Sequence, residues 1–148
     1  MIWKPNVTVA AIIERDGRFL MVEEETAQGV RFNQPAGHLE ASESLIEASM
    51  RETLEETAHR FSPASLVGVY QWTSPDNGVT YLRFAFSGEA EGPLEGAALD
   101  EGIVRAVWLS REELRACRDM HRSPLVAQCV EDYLSGRRFP LDLIDHYR

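Results

Sequence analysis

The chain has 148 residues, 44% of them hydrophobic and 26% charged, a balance that supports one globular core. Its formal charge is −9, from 24 acidic and 15 basic residues, which argues against general affinity for nucleic-acid polymers or anionic lipid. A polyphosphate ligand would be repelled as well, unless a divalent cation stood between it and the protein.

Val7–Ile13 is β-branched and apolar, as expected of a strand buried on both faces. Asp16-Gly17 is a hairpin turn, with Arg18–Glu23 as the returning strand. Glu24–Val30 reads as a polar loop. Phe32–Gly37, punctuated by proline and glycine, reads as a loop or strand end leading into a helix. Ser44 and Glu47 form a capping box, and helix formers then run to about Ala58.

Leu66–Trp72 and Val79–Phe86 are expected as strands around the turn Ser74-Pro75-Asp76-Asn77-Gly78. Gly88–Gly102 is expected as a mobile loop, and Ile103–Leu109 as a further strand. Ser110 and Glu113 cap a short helix, and Ser123-Pro124 opens another that stops at Gly136. The tail from Phe139 to Arg148 either docks or frays. No linker or repeat splits the chain, so residues 1–148 read as a single α+β domain, one mixed sheet with helices packed on it.

Cys117 and Cys129 fall in helical stretches and have no zinc-ligand spacing. Two unpaired thiols suit a reducing compartment. With no signal-peptide pattern at Met1–Pro5 and no apolar run of spanning length, the expectation is a cytoplasmic protein.

The informative segment is the helix opened by Ser44. With ~100° between residues, Glu52, Glu55 and Glu56 share one face. Ile46, Met50, Thr53, Leu54 and Thr57 make the expected core-facing stripe. Three carboxylates at i, i+3 and i+4 repel one another by a few tenths of a kcal/mol per pair. They also sit toward the C-terminal half, where the helix dipole disfavours negative charge. Solvated glutamates are the plain reading of such a face. A bound hard cation, Mg²⁺ or Mn²⁺, is the reading that removes the conflict.

Around this helix the residues follow a longer pattern: Gly37, five residues, Glu43, seven residues, then Arg51-Glu52-x-x-Glu55-Glu56. This resembles the box of the Nudix hydrolase family (MutT-like). The stretches Pro5–Ala10, Asn33–Ala41, Leu82–Phe84 and Arg122–Val126 resemble a bacterial phosphatase branch of that family. Four positions depart from the pattern. Ala58 replaces a closing glycine, Thr53 and His59 replace bulky apolar residues, and Ala36 replaces the first of a Gly-Gly pair. None removes a carboxylate.

The resemblance implies an α/β/α sandwich, with a mixed sheet and helices on both faces. It implies Mg²⁺, or Mn²⁺, held by Glu52, Glu55, Glu56 and the carbonyl of Gly37. The implied reaction is hydrolysis of a phosphoanhydride bond in nucleoside tri- or diphosphates, extending to hydroxymethylpyrimidine diphosphate. Glu52 or Glu55 is the expected base, with Asp100 or Glu101 from the later loop as the alternative. Arg51 is either an orienter of Glu43 and a ligand carboxylate or an ordinary helix pair with Glu47.

For substrate contacts the candidates are Arg83, His38, Phe32 and Trp72, with Asp100 and Glu101. Tyr70 and Tyr81 are further stacking aromatics, although aromatics in strands more often pack in a core. His59, His121 and His146 read as surface residues, and Trp108 as structural. The expected partner is a small di- or triphosphate, with the protein a monomer or small homo-oligomer. Other readings are hydrolysis of ADP-ribose or dinucleoside polyphosphates, a nucleotide sensor without catalysis, and an RNA-decapping enzyme, which the acidic charge disfavours.

Overall fold

Asp16 and Gly17 both adopt left-handed backbone (φ 52° and 76°), the geometry a two-residue hairpin requires. In the computed structural model, which describes residues 1–148, this turn joins β2 (Glu14–Arg15) to β3 (Arg18–Thr26). β3 pairs antiparallel with β4 (Gly29–Asn33) on one side and β8 (Ile103–Ser110) on the other. A second, mixed sheet has the order β5-β1-β7-β6. Its strands are β1 (Asn6–Ile12), β5 (Ala36–His38), β6 (Arg60–Thr73) and β7 (Thr80–Glu91), with β1 and β7 parallel. The expected mixed sheet is therefore present, and an antiparallel sheet stands beside it.

The helices are α1 (Leu45–Thr57), α2 (Arg111–Ala116) and α3 (Pro124–Leu134). Side chains alternate across a strand. Val9, Ala11 and Ile13 therefore pack with Ala48 of α1, while Ala10 and Ile12 pack with Val126, Cys129 and Val130 of α3. Helices thus cover both faces of the mixed sheet, and this is why β1 is apolar and buried from Val9 to Ile12. Burial of each larger aliphatic side chain stabilises by roughly 1.5–3 kcal/mol. No helix is long and apolar enough to cross a membrane.

Several elements differ from expectation. Glu24–Val30 is not a loop, because β3 runs to Thr26 and β4 starts at Gly29. Pairing of Glu24 with Ile103 of β8 keeps these polar residues extended. Gly88–Glu91 likewise continue β7 against Arg60–Pro63. Gly88 is required there, since an added Cβ would lie 2.1 Å from the carbonyl oxygen of Ser62. The remainder of that segment is tied down: Leu94 N–H donates to Ala58 O (2.8 Å) and Asp100 N–H to Glu55 O (2.9 Å).

Both capping boxes form as expected, and Gly136 (φ 95°) follows the end of α3. The core face of α1 is turned from the expected one. Ala48, Ser49, Thr53, Glu56 and Thr57 are buried, while Met50 and Leu54 are 43% and 39% exposed. Small residues let the helix lie close to the sheet, and the hydroxyls of Thr53 and Thr57 are satisfied by Ser49 O (2.8 Å) and Thr53 O (2.7 Å). Ala58 closes α1 in left-handed backbone (φ 58°), at a cost of about 1 kcal/mol that glycine would not incur.

His59 is buried, not on the surface, because the turn at Ala58 sends it inward against Trp108, ring centroids 5.9 Å apart. His121 is half-buried, and His146 alone of the three is exposed. Cys117 ends α2 and Cys129 lies buried in α3; both are free. The tail docks. Phe139 and Leu66 exchange backbone bonds of 2.9 and 2.8 Å, and Leu141 and Ile144 pack on the core.

Candidate active site

Chain connectivity brings three elements together: the β4–β5 crossover, α1, and the loop before β8. β5 carries Gly37, where an added Cβ would meet Glu52 Cδ at 2.1 Å, so any side chain there would displace the Glu52 carboxylate. The bond from Asp100 N–H to Glu55 O carries the loop acid onto the helix. Carboxylate oxygens of Glu52, Glu55 and Asp100 consequently lie within 4.8 Å of one another.

Arg51 organises this cluster with five donated bonds. Its Nε and Nη2 grip Glu43 (2.9 and 2.7 Å), Nη1 reaches Glu52 (2.6 Å) and Glu55 (2.9 Å), and Nη2 also reaches His38 O (3.0 Å). The alternative pair with Glu47 does not form, since Glu47 is engaged by the Ser44 cap and Arg148. The Arg51 fork holds the Glu43 carboxyl below its ordinary pKa, despite some opposing burial. The same contacts raise the Arg51 pKa.

Glu52 and Glu55 have side chains 12% and 38% exposed. Burial raises the Glu52 pKa against the pull of Arg51, with the charges of Glu55 and Asp100 adding to the rise. Glu56 faces inward and accepts the N–H of Ala36 (2.9 Å). Its burial, with the charges of Glu24, Glu52 and Asp100 nearby, pushes its carboxyl up to about 9. One guanidinium does not neutralise these acids. The donors are all oxygen, which suits a hard divalent ion, and a cation here would relieve their mutual repulsion. Glu56, expected as a ligand, lies outside the three-acid cluster with its carboxylate turned to Ala36 N–H. The cluster has the chemistry of a divalent-metal site.

Other candidates are placed differently. Trp72 is half-buried and stacks on Tyr81, centroids 6.0 Å apart at 21°. His38 is exposed, with Nε2 3.4 Å from Asn6 Nδ2. Phe32 is buried, with His121 bridged to its backbone, and Tyr70 donates to Asp132 (2.7 Å). Arg83 is 6% exposed and bonded to Asn33, Gln34 and Cys129 instead of facing an open cleft. Glu101 is exposed and outside the three-acid cluster, which Asp100 joins. Asp100, expected as an alternative base or substrate contact, sits instead among the metal-capable carboxylates. Its closeness to Glu52 follows from a backbone bond spanning 45 positions, with no local signal. Glu24, whose charge acts on Glu56, likewise carries no local signal, since pairing across the sheet and not its own sequence brings it there.

The family model described as NUDIX domain matches residues 3–129. The chain belongs to this family. It is a Nudix hydrolase, an enzyme that cleaves phosphoanhydride bonds. Phosphatase NudJ of Escherichia coli K12 is 41% identical over 145 residues, covering 98% of this chain and 94% of the relative. A solved NUDIX hydrolase from Nitrosomonas europaea superposes with a TM-score of 0.95 at 55% identity, covering 97% of this chain and 98% of the other. A MutT NUDIX hydrolase from Burkholderia pseudomallei shares the fold, with a TM-score of 0.74 at 21% identity over 88% of this chain and 98% of its own. This Nudix chain keeps every carboxylate of the box, and Ala58 takes the left-handed conformation where the pattern has glycine.

Proposed function

We propose that this Nudix hydrolase is Mg²⁺-dependent and cleaves nucleoside tri- and diphosphates, and hydroxymethylpyrimidine diphosphate as a further substrate, in the cytoplasm. The observation that carries the reading is the convergence of Glu52, Glu55 and Asp100 beside the close-packed Gly37. The likeness to a phosphatase named NudJ supports the substrate class, and two free thiols suit a reducing compartment. The docked tail supports a single working unit over residues 1–148.

In this reading Glu52, Glu55 and Asp100 hold the ion, and the family pattern adds Glu56 and the Gly37 carbonyl to the set. Bound there, Mg²⁺ supplies charge neutralisation along the phosphate chain and Lewis acidity toward water. Glu52, with its pKa raised by burial, takes the proton from the attacking water, and Glu55 is the alternative base. Arg51 keeps Glu43, Glu52 and Glu55 in fixed relation, and the Ala36 N–H does the same for Glu56. Trp72, stacked on Tyr81, offers an aromatic surface to a base or pyrimidine ring, and exposed His38, next in sequence to Gly37, is a further contact.

The test is phosphate and pyrophosphate release from nucleoside di- and triphosphates, hydroxymethylpyrimidine diphosphate, ADP-ribose and diadenosine polyphosphates. It is run with Mg²⁺, with EDTA, and with Glu55→Gln and Glu56→Gln proteins. Turnover requiring both the ion and the carboxylates supports the reading, and the preferred compound names the substrate. A folded protein with no metal-dependent turnover on any of them overturns it.

A further inference from the structure

The chain changes sheets between Asn33 and Ala36. Asn33 is the last residue of β4 and pairs with Val22, whereas Ala36 pairs with Ala10 in the mixed sheet. Only Gln34 and Pro35 span the step. Immediately after it come the Ala36 N–H that binds Glu56 and the glycine packed against Glu52. A shift of this crossover would move both.

Arg83 of β7 clamps the step from the mixed-sheet side. Its Nη1 donates to Gln34 Oε1 (2.9 Å) and its Nη2 to Asn33 Oδ1 (2.8 Å). Gln34, 1% exposed, turns its Nε2 to Val126 O of α3 (2.8 Å), so three elements meet on one amide. The remaining Arg83 contact is Cys129 Sγ at 3.7 Å. All these acceptors are neutral. A buried guanidinium without a carboxylate partner is a costly feature, and an apolar residue would give a cheaper core. Arginine's advantage here is its rigid fork, which spans two neighbouring acceptors; the single ammonium of lysine does not reproduce that geometry.

We propose that Arg83 and Asn33–Gln34 are positioning residues for the metal centre: the clamp sets the crossover so that Ala36 N–H meets Glu56 and Gly37 packs against the Glu52 carboxylate. This rests on the metal-dependent reading above. It assigns Arg83 no direct grip on substrate, since its terminal nitrogens are engaged and its side chain is buried.

The test compares wild type, Arg83→Lys and Asn33→Ala. Arg83→Lys keeps the charge and loses the fork. Asn33→Ala, at a half-buried position, removes one acceptor and guards against a misfolded lysine variant. Mn²⁺ binding to the substrate-free proteins is followed by electron paramagnetic resonance, folding by thermal melts in EDTA, and kcat and KM on the panel's best substrate. Arg83→Lys is expected to weaken Mn²⁺ binding by roughly 10-fold or more. Asn33→Ala should act in the same direction more mildly, with kcat falling and nucleotide KM little changed. Folded variants with unaltered Mn²⁺ affinity overturn the proposal. A raised KM with intact Mn²⁺ binding overturns it too, and makes Arg83 a phosphate contact. A wild type that binds Mn²⁺ but hydrolyses nothing sinks the functional reading alone, because the binding arm still decides the clamp.

Discussion

Arg51 and Glu56 show how single residues set this centre. Arg51 spreads five N–H bonds over Glu43, Glu52, Glu55 and a backbone carbonyl, and lysine has neither the fork nor the number of donors. Arg51→Lys should therefore lower kcat by about 10- to 100-fold, measured at saturating substrate and metal. Glu56 gives a pH prediction for the metal-free protein. Its folded-state carboxyl is pushed up to about 9, so the folded state holds its proton more tightly than the unfolded chain does. That contribution to stability is fully present below the ordinary carboxylate pKa and is lost as pH rises toward 9. In EDTA the Tm should fall between pH 6 and 9, and Glu56→Gln should flatten that slope. Glu43 has the opposite sign: its folded pKa is lowered, so its contribution is lost only under acid conditions.

At the scale of elements, α1 presents the acids and depends on its first turn. Ser44→Ala removes the oxygen that accepts Glu47 N–H (3.0 Å) and should cost about 1 kcal/mol, seen as a Tm lowered by roughly 2–4 °C. Ser44 lies outside the carboxylate cluster, so kcat at temperatures well below the Tm should hold. The elements differ in how plainly the sequence announces them. Both capping boxes and the Asp16-Gly17 turn are local chemistry and are readable from a few neighbouring residues. The extra lengths of β3, β4 and β7 are not, because Glu24 and Gly88 are held extended by partners across the sheet. The face of α1 departs from its apolar periodicity for a related reason: the helix approaches the sheet through small and hydroxylated residues, which leaves Met50 and Leu54 partly outside. In the site, Glu52, Glu55, Glu56 and Gly37 are legible in one contiguous pattern, whereas Asp100 and Glu24 arrive through tertiary contacts. Arg83 showed as an anomaly in an apolar strand, and only its bonds to Asn33 and Gln34 give it a role.

For the whole molecule the dominant fact is an excess of negative charge gathered partly in one place. Binding of a divalent ion to the folded state alone should stabilise it by ~2.7 kcal/mol at a concentration of 100 times Kd. Thermal melts should therefore rise by several degrees with Mg²⁺ and return on adding EDTA, and Glu55→Gln should blunt the difference. A rise of the same size in Glu55→Gln would place the ion elsewhere.

The pairing of Phe139 with Leu66 has a consequence for how the molecule behaves in company. β6 closes one side of the mixed sheet and β7 is the one strand it pairs with, so its outer backbone, apart from the Leu66 rung, is an edge on which another extended chain can add. The register irregularities near Pro63 and Leu66 and the returning tail together blunt that edge. A chain cut after Gly136 loses the tail and bares the Leu66 rung. Light scattering of concentrated samples should show it self-associating while the 148-residue chain stays dispersed, so residues 137–148 serve as a guard against polymerisation.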